Sequence, residues 1–161
     1  MEIKKIAVIG SGTMGNGIAH VFALTDFKVS LVDVSNEILT KAILNIEKNL
    51  DRQVKKEVIS ENEKSMTLSN IEGVVGIDNL SSDIDLVIEA IVENKETKLN
   101  VFNKLNSLIK PESIFASNTS SISITELSAS GRADKFIGMH FMNPVPVMKL
   151  IEIIRGYSTS D

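Results

Sequence analysis

The amino-acid sequence predicts an α/β fold, a doubly wound and mostly parallel sheet with helices on both faces. Three observations lead there. The first apolar run, Ile6-Ala7-Val8-Ile9, has no polar residue on either face, as a strand covered on both sides requires. The chain then turns through Gly10-Ser11-Gly12-Thr13-Met14-Gly15 into a helical pattern carrying Ile18, Ala19, Val21, Phe22 and Ala23. Beyond it, strand and helix candidates keep alternating, which is the sign of parallel strands joined by crossover helices.

The elements follow in order. Val29-Ser30-Leu31-Val32 is the second strand and ends in Asp33. Ile38, Leu39, Ala42, Ile43, Ile46, Leu50 and Val54 recur at helical spacing, with Ser35 or Asn36 as N-cap and Lys41, Glu47, Lys48, Arg52, Lys55 and Lys56 on the outer face. The polar stretch from Ser60 to Asn70 reads as a short helix plus loop. Val74-Val75-Gly76 and Leu86-Val87-Ile88-Glu89 are strands three and four. Asn94 to Leu108 is a helix with Leu99, Phe102, Leu105 and Leu108 inward and Pro111 beyond its end. Ile114 to Ser117 is strand five, Ile124 to Ala129 a short helix, Phe136 to His140 strand six and Leu150 to Ile154 a last strand. In such a sheet ligands bind at the carboxyl ends of the strands, so the loops that matter are 10–15, 33–35, 90–98, 117–121 and 140–148.

The first of these loops is a socket for a pyrophosphate. Gly10 permits the tight turn, Gly12 lets backbone approach the phosphates, and Gly15 lets the helix pack against the strand. The helix start, through Thr13 and Met14, turns its free amides and positive dipole end to the anion. Asp33, 18 residues after Gly15 and at the end of the second strand, is placed to accept hydrogen bonds from adenosine ribose hydroxyls; the bland alternative is a cap for the next helix. No arginine follows it closely, since Val34, Ser35, Asn36 and Glu37 come next. A 2′-phosphate would meet negative charge there, so NAD is expected rather than NADP.

Composition bounds the rest. With 161 residues, 43% hydrophobic and 24% charged, the chain has room for one domain with a sizeable core. Seventeen basic against 21 acidic residues give a net charge of −4, which offers no general attraction to nucleic acid or an anionic membrane. Zero cysteines exclude a thiolate nucleophile, a disulfide framework and a cysteine-held metal; no metal site is expected. No signal peptide and no apolar run of membrane-spanning length are seen, and a cytoplasmic location is expected.

There are two histidines. His20, among apolar residues of the first helix, reads as structural or partly exposed. His140 closes strand six on the ligand side and is followed by the stiff turn Asn143-Pro144-Val145-Pro146. If the strands on either side pair as a wide hairpin, Glu152 comes level with it, and a buried carboxylate would then fix the imidazole tautomer and stabilise the imidazolium. Such a dyad can take a hydroxyl proton while hydride leaves the same carbon, although a satisfied core histidine would fit the position as well. Ser117-Asn118-Thr119-Ser120-Ser121 can hydrogen-bond a substrate oxygen or a nicotinamide carboxamide, or simply cap and turn into the next helix. Arg52, Lys55 and Lys56 are either a solvated face or contacts for the phosphates of a carrier such as coenzyme A. Glu89, Glu93, Glu96 and Lys98 surround the end of strand four, where they suit either a ribose and phosphates or helix capping.

Taken together these segments resemble the N-terminal domain of the 3-hydroxyacyl-CoA dehydrogenase family, over nearly the whole length. The resemblance is carried by Gly10 to Ala19, by Glu89-Ala90-Ile91-Val92-Glu93-Asn94, by Ser117 to Ser121 and, most specifically, by His140-Phe141-Met142-Asn143-Pro144-Val145-Pro146-Val147-Met148-Lys149-Leu150. It implies a Rossmann-type fold, NAD as cofactor, and interconversion of (S)-3-hydroxyacyl-CoA and 3-ketoacyl-CoA. It implies His140 as general acid/base, Glu152 as its orienting partner and Ser120 on the substrate oxygen. Asn143 falls at the substrate–nicotinamide end, where it would contact both, Asn118, Glu93 and Lys98 at cofactor-contacting positions, and Arg52 and Lys56 where the long helix meets coenzyme A. The family continues into a mostly helical C-terminal domain that closes over the acyl group and forms the dimer, whereas this chain ends at Tyr157 to Asp161. The expectation is therefore an NAD-binding domain over 1–161, drawn from a two-domain, homo-oligomeric protein and poorly active alone.

Overall fold

A computed structural model describes residues 2–161. Seven strands, β1 (Lys5–Ile9), β2 (Lys28–Asp33), β3 (Ile71–Val75), β4 (Leu86–Glu89), β5 (Ile114–Ser117), β6 (Phe136–Phe141) and β7 (Ile151–Arg155), form one sheet in the order β3-β2-β1-β4-β5-β6-β7. Every pairing is parallel except β6–β7. The order reverses between β1 and β4, and that switch point opens a crevice at the carboxyl ends of the strands. The helices are α1 (Thr13–Leu24), α2 (Asn36–Lys55), α3 (Glu61–Ser69), α4 (Lys95–Leu108) and α5 (Ile124–Ser128).

β1 shows why the run 6–9 carries no polar residue. Ile6 and Val8 face a core shared with Ile18, Leu39, Ile46 and Leu50, while Ala7 and Ile9 face a second core with Phe102, Phe115 and Phe136. Both faces are buried, so both need apolar residues. The turn chemistry is equally local. Ser35, Ser60, Asn94 and Ser123 each accept a backbone amide at the start of α2, α3, α4 and α5, and Ser60 closes a capping box with Glu63.

Two expectations shift. β3 spans Ile71–Val75 rather than 74–76, because Glu72 and Gly73 on a half-exposed strand at the sheet edge break the apolar signal. The left-handed Gly76 (φ 75°) then ends the strand. His20 is wholly buried, with neither ring nitrogen hydrogen-bonded, and burial holds its pKa below the ordinary value. Gln53, a polar neighbour, opposes that shift without reaching hydrogen-bond geometry. It is a neutral core residue.

Asp85, at the entry to β4, accepts the amides of Lys4 and Lys5, both at 2.9 Å, and the Lys110 ammonium at 2.5 Å. Burial disfavours its charge, but these donors win and bring its pKa from 3.8 down to about 2. The unfolded carboxyl binds a proton more readily than the folded one. Its contribution is therefore complete above about pH 4 and is lost as pH falls towards about 2. Asp85→Asn should cost about 1–2 kcal/mol near neutral pH and flatten that acid limb, as read by urea titrations along the pH series.

Candidate active site

The glycine turn sits at the switch point. Gly10 N donates to Val32 O at 2.8 Å, tying the turn to β2. A Cβ on Gly15 would lie 1.8 Å from Gly10 O, so only glycine allows this approach of helix to strand. Nothing lies within 4 Å of the Cβ position of Gly12, and space is open over the turn. Of the five α-helices among the described residues, α1 alone has no side-chain cap and no acidic residue in its first turn. Its leading amides, those of Thr13 and Met14 among them, are thus left to an anion. These features fit a dinucleotide pyrophosphate.

Asp33 stands beside the turn, as the spacing predicts, but its carboxylate already has partners. Oδ2 accepts from Ser11 N and Ser11 Oγ, both at 2.7 Å, and Oδ1 from Val34 N at 2.7 Å. Burial resists its ionisation, and the Ser11 and Val34 bonds more than offset that, so its pKa lies below the usual carboxylate range. A carboxylate offers about four acceptor positions, so room remains for one further donor.

Across the switch point, a cavity of about 310 Å³ is lined by Met14, Glu93, Asn118, Ser120, His140 and Asn143, with four further residues. His140 pairs in register with Glu152 across β6–β7, and its Nδ1 lies 2.7 Å from Glu152 Oε2. That contact leaves Nε2 as the ring nitrogen for proton transfer. The expected burial of the carboxylate is not found, since the Glu152 side chain is 52% exposed.

The 117–121 loop sorts its hydroxyls. Ser117 Oγ donates to Glu89, Thr119 Oγ1 and Ser121 Oγ donate to Glu93, and Thr119 Oγ1 also accepts the amides of Ser121 and Ile122. Asn118 Oδ1 accepts Phe141 N at 2.9 Å, fastening this loop to the residue after His140. The Ser120 hydroxyl makes no hydrogen bond among the described residues, and Ser120 lines the cavities on both sides of His140.

Lys98 departs most from expectation. Its side chain is 1% exposed, and its ammonium lies 2.6 Å from Glu89 Oε1 and 3.2 Å from Glu93 Oε2, beneath the site. The residue that this cluster presents to the cavity is Glu93. Burial opposes Glu93's ionisation, and hydrogen bonds from Thr119 and Lys98 outweigh it and hold the carboxyl below the ordinary range. Neither Glu89 nor Glu93 caps α4; Asn94 does. Arg52 and Lys56 are exposed at the end of α2 and line neither cavity beside His140, Arg52 donating to Asn49 Oδ1 at 3.1 Å.

One positioning residue went unread in the sequence. A Cβ on Gly17 would lie 2.7 Å from Val145 Cβ, so this glycine lets the 143–146 turn seat on α1 beside the socket. Only its place in a small-residue stretch of α1 hinted at it.

A glycine turn at an uncapped helix, an acid at the end of β2 and a switch point between β1 and β4 are the architecture of a dinucleotide-binding α/β domain. The comparisons with known proteins carry this to a family: residues 5–161 match "3-hydroxyacyl-CoA dehydrogenase, NAD binding domain", and the chain belongs to that family. NAD is accordingly its cofactor. It is 53% identical over 160 residues to a 3-hydroxybutyryl-CoA dehydrogenase of Bradyrhizobium diazoefficiens, covering 99% of this chain and 54% of that one. It is 45% identical to human mitochondrial hydroxyacyl-coenzyme A dehydrogenase, over 98% of this chain and 52% of the relative. The crystal structure of (S)-3-hydroxybutyryl-CoA dehydrogenase from Ralstonia eutropha superposes with a TM-score of 0.95 at 45% identity, covering 99% of this chain and 56% of that one. The chain thus spans about half the length of the curated relatives it matches. No helix among the described residues is long and apolar enough to cross a membrane.

Proposed function

We propose that this chain is the cofactor-binding and proton-transferring half of an enzyme that interconverts (S)-3-hydroxyacyl-CoA, 3-hydroxybutyryl-CoA above all, and the corresponding 3-ketoacyl-CoA. The observation that carries the reading is the His140 Nδ1–Glu152 Oε2 contact at 2.7 Å beside the free Ser120 hydroxyl, across the switch point from the glycine turn. NAD, when bound, supplies the hydride acceptor and donor. His140 Nε2 takes the 3-hydroxyl proton during oxidation and returns it during reduction. Glu152 keeps Nδ1 protonated and stabilises the imidazolium that forms. Ser120 donates to the substrate oxygen, and Asn118 and Asn143 orient the nicotinamide end. Gly10, Gly12, Thr13, Met14 and Gly15 hold the pyrophosphate, and Asp33 the adenosine ribose. Glu93 borders the cofactor, with Lys98 holding it in place. Arg52 and Lys56 reach the phosphates of coenzyme A from α2.

Residues 1–161 act in this reading as one NAD-binding domain of a cytoplasmic protein, whose remaining length closes the acyl site and makes the homo-oligomer. A second reading, an NAD(H)-binding module with little turnover on its own, draws support from the openness of Glu152 and of β7, where Ile153 is 58% exposed.

Calorimetric titration with NADH and NADPH tests the cofactor assignment. NADH should bind more tightly, because a 2′-phosphate meets the Asp33 carboxylate. Asp33→Ala should weaken NADH by about 1–3 kcal/mol, part of it through the loosened Ser11 turn. Equal or tighter binding of NADPH would overturn the assignment.

A further inference from the structure

Glu93, Lys98 and Glu89 together hold two carboxylates against one ammonium. Glu89 is fully buried and lies closer to Lys98 than Glu93 does, at 2.6 Å against 3.2 Å. It also accepts from Ile91 N at 2.7 Å and Ser117 Oγ at 2.6 Å, so three donors converge on its two oxygens. The lysine charge is then largely taken by Glu89, and the cluster keeps about one negative charge, on Glu93, whose side chain is 40% exposed. Among the described residues lining the cavity of Met14, Asn118 and Asn143, Glu93 is the only carboxylate and none is a lysine or arginine, while Glu152 and Arg155 line the cavity on the other side of His140.

If the pyrophosphate sits on the glycine turn and the adenosine runs towards Asp33 on the β2 side, the other end of the dinucleotide must run towards β4 and β5, where this cavity lies. The oxidised nicotinamide ring carries a positive charge and the reduced ring none. We propose that the Glu89–Lys98–Glu93 cluster is a charge device that favours the oxidised over the reduced cofactor and so makes the bound reduced form a stronger hydride donor. The inference rests on the cofactor assignment above. It gives Lys98 a definite task, which is to hold the excess carboxylate at the cavity wall while Thr119, Ser120 N and Ser121 fix its orientation.

The test is calorimetric binding of NAD+ and of NADH to this chain, to Glu93→Gln and to Glu89→Gln. Glutamine at 93 keeps a hydrogen-bond acceptor and loses the charge. The ratio Kd(NAD+)/Kd(NADH) should rise about three- to tenfold in Glu93→Gln, as expected for one charge lost beside a partly solvated site. A tenfold rise equals about 30 mV for a two-electron couple. Glu89→Gln should raise the ratio in the same direction by less, because Lys98 is then free to neutralise Glu93, although residue 89 does not line the cavity. An unchanged ratio in Glu93→Gln, including equal weakening of both nucleotides, would reduce Glu93 to a hydrogen-bonding or structural residue and overturn the proposal. If the unsubstituted chain binds neither nucleotide, the cofactor assignment fails and the charge device with it.

Discussion

Replacing His140 with alanine is expected to lower the rate of acetoacetyl-CoA reduction by about 10²–10⁴-fold, the usual worth of a positioned general acid/base. The assay, NADH oxidation followed by absorbance, calls for this sequence joined to the remaining half of its 53%-identical relative, so that the acyl site is closed. NADH affinity should change little, because the glycine turn and Asp33 lie on the other side of the switch point. Glu152→Gln should also slow turnover, by less, since glutamine still faces Nδ1 but cannot balance the imidazolium. Ser120→Ala should retain the fold, because its hydroxyl supports no other residue, and lose activity through the unanchored substrate oxygen. A near-normal rate for His140→Ala would make the histidine structural.

The sequence goes further in this protein on spacing than on side-chain direction. The glycine turn, Asp33 and the level pairing of His140 with Glu152 all depend on backbone register, which apolar periodicity and turn residues report directly. Two prolines between β6 and β7 stiffen the turn, the twelve-residue separation is consistent with a wide hairpin, and the observed register makes the pair. What stayed hidden depends on where a side chain goes after its Cα. Lys98 lies one turn into α4, where a lysine is ordinarily solvated, and nothing in the local sequence says that it bends under the site to Glu89. The four hydroxyl residues of the 117–121 loop look alike in sequence. In the fold Ser117, Thr119 and Ser121 serve the two carboxylates and Ser120 is left free. Asp33 shows the same limit in milder form: its place at the end of β2 was legible, while its bonds to Ser11, 22 residues away in the chain, were not.

The 161 residues by themselves are expected to be at least about 10³-fold slower towards acetoacetyl-CoA than the same sequence joined to the remaining half of its relative, even when saturated with NADH. The reason is on the surface. The His140 side chain is 23% exposed and Glu152 is 52% exposed, so water reaches both partners of the proton-transferring pair. In that solvent the ion pair is screened and gives the imidazolium little support. The β7 residues beside Glu152 are apolar and uncovered, with Ile151, Ile153 and Ile154 at 39%, 58% and 38% exposure, and Val147 and Leu150 nearby at 70% and 57%. Side chains alternate along a strand, so Ile154 is open on the face of Glu152 and Ile151 and Ile153 on the opposite face, and uncovered apolar residues next to a reactive pair mark a surface that another segment covers. Without a cover, the acyl chain has one wall, its carbonyl is not held in line with the hydride, and lost positioning alone is worth several kcal/mol. NADH binding itself should persist, because the turn, Asp33 and the Glu93 cluster are all internal to the chain. Steady-state rates and NADH titrations on both proteins separate the two effects. Equal turnover numbers would show that the uncovered β7 face has no part in the reaction, and equal loss of NADH binding would move the defect from substrate positioning to the cofactor socket.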